Sequence, residues 1–267
     1  MNSEWALKFI GTGSSDGGDL GTSAAVLERS GKPVLLIDCG HGTPRRFHES
    51  YGEWPSAIFL THVHLDHVSG LEQLHSRIAL GHAARTRIYA PVAILAQLHQ
   101  RVGSLENSLA EGRMNFWDQF QVVPVDKGFW HEGHWFDVFE TRHHAPGFSH
   151  GLRLPGRFLF TGDTRPIPEV LRHYGNAGEV IFHDCSLVGN PSHTGLDDIL
   201  GEYEAAIRER LVAYHYESPL AASALVEAGL GVARPGDRYP LGGEHDAPER
   251  EKPVLAPVTD LARRGFE

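Results

Sequence analysis

Apolar residues along the chain gather in short blocks separated by glycine, proline and polar turns, a spacing that favours strands over long amphipathic helices. Trp5-Ala6-Leu7-Lys8-Phe9-Ile10 predicts a first strand, ended by the glycine-rich stretch from Gly11 to Gly18. That stretch lacks the G-x-G-x-x-G order running into a helix, so it reads as a tight turn and not a dinucleotide loop. Thr22 to Leu27 predicts a second strand. Ser30-Gly31-Lys32-Pro33 then turns the chain into Val34-Leu35-Leu36-Ile37, a strand of the fully buried kind. The opening is therefore a β-meander. Thr43 is placed to cap a helix running to about Tyr51.

Further strands are predicted at Ala57–Leu60, Arg87–Ala90, Phe120–Val125, His134–Thr141, Phe158–Thr161, Val180–Phe182 and Leu211–Tyr214. Helices are predicted from Val68, and from Pro91 at the first helical position that proline tolerates. A third runs from Gly195 to Arg208, with Leu196, Ile199, Leu200, Tyr203 and Ile207 on one buried face. A fourth runs from Ser218-Pro219 to about Ala228. The segment from Arg101 to Asp118 fits no single pattern and is expected to cover the site. Strands followed by helices, twice over, predict an α+β sandwich with mixed sheets. No linker interrupts residues 1–242, which are read as one domain. Residues 243–267 are charged, proline-containing and aperiodic, and are read as an irregular or docked extension.

The candidate chemistry sits where these blocks end. Ala57–Leu60 runs directly into Thr61-His62-Val63-His64-Leu65-Asp66-His67, which places the donors His62, His64, Asp66 and His67 within six residues. Imidazoles with a carboxylate are the donor mixture favoured by Zn²⁺ and similar divalent ions. Other blocks end in the same way. His143 and His144 follow one, Asp163 follows Phe160-Thr161-Gly162, His183-Asp184 follows Ile181-Phe182, and His215 follows Tyr214. Strand ends on one edge of a layered fold can converge on one cleft. Asp38, after Ile37, either caps the adjacent turn or orients a metal-bound imidazole. Cys39 is expected to be a small buried residue.

Composition narrows the partners. The chain has 267 residues and a formal net charge of −10, which offers no general attraction for nucleic acid or anionic membrane. Its two cysteines are too few for a disulfide framework and fit a reducing compartment. The start lacks the basic and apolar regions of a signal peptide, and no apolar run approaches the roughly 20 residues of a membrane span. These features lead to the expectation of a cytoplasmic protein.

Taken together, these residues resemble the metallo-β-lactamase superfamily, and within it the ribonuclease Z-like branch. His62-Val63-His64-Leu65-Asp66-His67 matches the H-x-H-x-D-H signature. Asp38-Cys39-Gly40-His41-Gly42-Thr43 is similar to the D-C-G-x-G-T segment, and Gly162-Asp163-Thr164 to the G-D-T motif. His183-Asp184 with His193-Thr194 resembles the His-Glu and His-Ser-Thr elements of that branch. The resemblance spans about Phe9 to His215. It implies an αββα four-layer sandwich and two divalent ions, zinc first, with Mn or Fe as alternatives. His62, His64 and His144 are then expected on one ion, Asp66, His67 and His215 on the other, and Asp163 between them. His143, beside His144, is the competing ligand. Asp66 or Asp163 would orient the attacking water, and Asp38 and Asp184 would orient imidazoles. His193 either donates a proton or binds a substrate oxyanion, or else caps the helix that follows Thr194.

Two departures bear on the substrate. Asp184 stands where the branch has Glu, and there is no long Gly-Pro-rich arm for gripping transfer RNA. A hydrolase of small phosphodiesters, such as cyclic nucleotides, is the expectation. Hydrolysis of carboxylic esters, lactones or thioesters, and ribonuclease Z-type RNA processing, are the alternatives. A flavodiiron-type redox role is disfavoured by the intact His64, and a scaffold role by the full set of donors. Dimers are frequent in this branch, so the resemblance also implies a homodimer.

Overall fold

The computed structural model describes residues 4–15, 18–103, 115–175 and 178–242. Both the predicted extension after Gly242 and the central part of the 101–118 segment lie outside these residues. Two seven-stranded sheets pack face to face with helices outside, which is the expected αββα sandwich.

The first sheet contains β1 (Trp5–Gly11), β2 (Ala24–Arg29), β3 (Lys32–Ile37), β4 (Ala57–Phe59), β5 (Thr86–Pro91), β6 (Phe120–Val125) and β14 (Arg238–Pro240), in the order β14-β1-β2-β3-β4-β5-β6. The second contains β7 (Gly128–His131), β8 (His134–Glu140), β9 (His150–Leu154), β10 (Phe158–Phe160), β11 (Val180–Asp184), β12 (Leu211–Tyr214) and β13 (Gly231–Val232), in the order β13-β12-β11-β10-β9-β8-β7. Strands β3 to β6 are mutually parallel, and so are β10 to β13. Parallel neighbours end on the same edge, so β3 and β4 deliver their following residues beside each other, as do β10, β11 and β12.

The core explains why the strands read as unbroken apolar runs. Leu35, Ile37, Phe59, Phe160, Phe182 and Tyr214 pack between the sheets. Their alternate neighbours, Leu36 and Ile58 in the first sheet and Leu159, Ile181 and Ala213 in the second, pack outward under helices. Strands buried on both faces cannot show polar alternation.

The helices on the first sheet are α1 (Thr43–Tyr51), α2 (Leu65–Val68), α3 (Gly70–Ala79), α4 (Leu95–Val102) and α5 (Phe116–Gln119). On the second they are α6 (Pro168–Tyr174), α7 (Leu196–Glu202), α8 (Ala205–Arg208) and α9 (Pro219–Glu227). Three expectations need correcting. Pro91 closes β5, and α4 starts only at Leu95 after a single 3₁₀ turn. The helix expected from Gly195 to Arg208 breaks at Tyr203, whose backbone is extended, and Leu200 is 43% exposed. The Tyr203 hydroxyl accepts from the Ile167 amide and meets His183 Nε2 at 2.8 Å, contacts that hold the break in place. Thr43 is the first helical residue, with Gly42 in the left-handed region before it. Among the described residues, no helix is long and apolar enough to cross a membrane.

Candidate metal centre

The loop after β4 crosses the ends of the parallel strands and holds His62 and His64, and α2 then presents Asp66 and His67. It is latched from beneath by the turn after β3. The Cys39 amide donates to the His67 carbonyl at 2.8 Å, and the Gly70 amide to the Cys39 carbonyl at 2.9 Å. At Gly40 the two segments approach so closely that a Cβ would collide with the Asp66 carbonyl. Glycine is required there by contact with the neighbouring chain. Asp38 has φ +61° and His215 φ +67°, left-handed values that a non-glycine residue adopts only when its surroundings impose them.

One oxygen organises the cluster. Asp163 Oδ2 lies 3.2 Å from His67 Nε2, 3.2 Å from His215 Nε2, 3.7 Å from His62 Nε2 and 3.7 Å from His143 Nε2. Asp66 Oδ2 is 3.5 Å from His67 Nε2 and 3.6 Å from His215 Nε2. His64 Nδ1 stands 3.2 Å from His62 Nε2 and 2.9 Å from His143 Nε2. The donor atoms of His62, His64, His143 and His144 form one compact group, and those of Asp66, His67, Asp163 and His215 another.

The outer nitrogens set the tautomers. His67 Nδ1–H donates to Asp38 Oδ2 at 2.8 Å, and His143 Nδ1–H donates to the Ser192 carbonyl at 2.8 Å. Thr61 Oγ1–H donates to Asp38 at 2.8 Å and therefore accepts from His62 Nδ1–H at 3.0 Å. In its neutral form each of these rings turns a bare Nε2 lone pair inward, towards carboxylate oxygens or other lone pairs. Such an arrangement repels itself unless cations sit among the donors, and partners on the outer nitrogen are what metal-bound imidazoles usually have. His67 Nε2, His215 Nε2 and Asp163 Oδ1 are buried with no hydrogen-bond partner. The donor set fits divalent ions on these grounds.

The electrostatics agree. Burial lowers the proton affinity of His62 well below the ordinary range and brings His64 and His143 to about 4, so these rings are neutral donors. Burial opposes charge on His67 and His215 as well. The Asp163 carboxylate overrides it, helped by Asp38 at His67 and by Asp66 at His215, and His215 reaches about 9. Those two rings lie where positive charge is demanded. Burial also works against ionised Asp163, but His215 and His67 hold its carboxyl well below the usual range.

A second tier supports the first. Asp38 contacts His67 Nδ1 at 2.8 Å and also accepts from the Thr61 amide and hydroxyl. Asp184 accepts from His193 Nδ1–H at 2.8 Å and from the Thr164 amide at 2.9 Å, and lies 3.5 Å from His215 Nδ1. His193 stacks on His215 at 4.9 Å and tilts against His143 at 4.7 Å, with its Nδ1 tied to Asp184. Cys39 is fully buried, as expected.

The expectation preferred His144 over its neighbour His143; both rings reach the donor group of His62 and His64, and His143 Nε2 lies 3.7 Å from Asp163 Oδ2. The His144 ring lies against His64 at 4.3 Å, and its ligand atom belongs to the same compact group as those of His62, His64 and His143. Thr61, which ties Asp38 to His62, was missed, although its place between a buried strand and the signature was a usable signal.

These two sheets and this cluster define a metallo-β-lactamase-fold hydrolase. Solved structures share the fold, including a diphosphatase of the PhnP family (TM-score 0.68, 19% identical, covering 89% of this chain and 100% of that one). Another is the short form of human tRNase Z (TM-score 0.63, 19% identical, covering 89% and 99%). Residues 5–239 match the family described as Anti-Pycsar protein Apyc1, and the chain belongs to that family. A relative of that name from Paenibacillus xerothermodurans is 30% identical over 224 residues, covering 80% of this chain and 88% of that one.

Proposed function

We propose that the chain is a two-metal phosphodiesterase acting on small nucleotidic substrates, 3′,5′-cyclic nucleotides above all. The observation that carries this reading is the position of Asp163 Oδ2 between two groups of inward-facing donors, within 3.7 Å of imidazoles from both. We assign His62, His64 and His143 to one ion, Asp66, His67 and His215 to the other, and Asp163 to both. His143 replaces His144 because its Nε2 faces Asp163 while its Nδ1–H is held by a carbonyl. Zinc is the proposed ion, from the histidine-rich donor set.

When bound, a pair of divalent ions would acidify a water to near neutrality and draw charge from phosphoryl oxygens. The remaining work belongs to the chain. Asp66 and Asp163 present carboxylate oxygens that orient the attacking water and accept its hydrogen bond. His193 carries the proton for the leaving oxygen on Nε2, because Asp184 holds its Nδ1–H. Burial opposes charge on His193, but the Asp184 contact outweighs it and keeps the ring protonated above the ordinary histidine range.

We read the family's anti-Pycsar name as the removal of a cyclic-nucleotide signal. A net charge of −10 also disfavours a long polyanion. Zinc- or manganese-loaded protein is expected to cleave bis-para-nitrophenyl phosphate and at least one cyclic nucleotide. It should leave carboxylic esters, lactones and thioesters largely intact. Cleavage confined to the carboxylic substrates, or none at all, would contradict the proposal.

A further inference from the structure

Beside the clustered donors lies a cavity of about 290 Å³. Its walls are Val63 and His144 from the two histidine loops, Phe148, and Gln97, Gln100 and Arg101 from α4. A larger cavity of about 630 Å³ borders the opposite ends of β4, β5 and β6, where Arg85, Arg87 and His131 line it, but it holds none of the clustered donors.

The smaller cavity borders the two histidine loops. His144 is its shared wall, since its ring packs on His64 at 4.3 Å and its buried Nε2 has no hydrogen-bond partner. The far wall is polar and unused. Arg101 and the amides of Gln97 and Gln100 make no hydrogen bond or ion pair with any described residue. These groups, a guanidinium and two carboxamides on one short helical stretch, have donors and acceptors that no described residue engages, with Gln100 and Arg101 exposed to solvent. Phe148 and Val63 add apolar surface beside them. Small-molecule sites are built in this way, with apolar walls and a few convergent polar groups.

We infer that this cavity receives the nucleobase of the substrate, with Gln97, Gln100 and Arg101 reading the base edge and Phe148 packing on its face. The assignment rests on the phosphodiesterase reading and adds the group that selects among substrates. Gln side chains bring both an acceptor and donors, which suits the mixed edge of a base. Arg101 offers donors to ring carbonyls and a positive charge to an anionic ligand. The volume, at the low end for ligand sites, suits one base with its sugar and not an oligonucleotide. His144, freed from metal binding, forms the floor between base and phosphate.

The test compares wild type with Gln97→Leu and Arg101→Met in the metal-loaded enzyme. Each variant is expected to raise KM for the preferred cyclic nucleotide about tenfold while kcat stays within about twofold. A second readout is binding of the matching nucleoside monophosphate against ribose 5-phosphate, which lacks a base. Wild type should prefer the nucleotide, and the variants should narrow that preference by a similar factor. Unchanged KM and an unchanged preference would overturn the assignment, as would equal weakening of ribose 5-phosphate. If wild type prefers the nucleotide and the variants lose that preference, but no cyclic nucleotide is cleaved, the cavity assignment stands and the hydrolytic reading falls.

Discussion

His143 and His144 are adjacent in the chain, and nothing in their order says which ring turns inward. The proposed choice of His143 rests on the partner of its outer nitrogen. The Ser192 carbonyl holds His143 Nδ1–H and aims Nε2 at Asp163, whereas His144 Nε2 is buried without a hydrogen-bond partner. His143→Ala is therefore expected to lose about one bound ion per chain, and His144→Ala to keep both, as read by metal analysis of purified protein. The reverse pattern would restore His144 as the ligand. His62, His64, Asp66 and His67 were legible because four donors in one turn have few other uses. His193 was not decidable from its neighbours, since a turn histidine looks the same. Its 2.8 Å contact with Asp184 is what supports the proposed proton-donor role. His193→Ala is expected to lower kcat at least about a hundredfold with much less effect on KM. Equal loss in KM alone would make it a binding residue.

At the scale of elements, the strands that carry the site were readable and several that only complete the sheets were not. β4, β10, β11 and β12 are buried on both faces, so their apolar runs stood out. β9 was missed because Arg153 stands in its middle. That arginine is paired with Glu179 at 2.7 Å and Asp137 at 3.1 Å, a buried polar cluster that only the assembled sheet creates. The predicted single helix over 195–208 failed because tertiary contacts of Tyr203 override local periodicity. The glycine in the turn after β3 has a different role from a loop glycine, since Gly40 lets that turn touch the histidine loop. Gly40→Ala is expected to cost about 1–3 kcal/mol and to weaken metal binding, measured by thermal unfolding with and without chelator. A variant as stable and as metal-replete as wild type would show that the loop is not latched there.

For the molecule as a whole, the sandwich brings several histidines into surroundings that exclude charge. His183 lies outside the ligand set, and burial lowers its proton affinity to about 4, against a partial raise from the Asp184 carbonyl. The unfolded chain binds a proton at this ring below about pH 6.5, and the folded one only near pH 4. Stability therefore falls as pH drops through that window, by up to about 3 kcal/mol from this residue. Denaturant unfolding of wild type and His183→Gln across that range is expected to show the steeper acid loss in wild type. Parallel curves would mean that the ring is already charged in the fold.

The central claim is that two inward-facing donor groups sharing Asp163 make one hydrolytic centre. Chelator-stripped protein can be titrated with zinc while bound metal and hydrolysis of a 3′,5′-cyclic nucleotide are followed together. Turnover is expected to be absent at the start and to saturate at about two ions per chain. Full turnover with no metal or a single ion, or none at any loading, would contradict it.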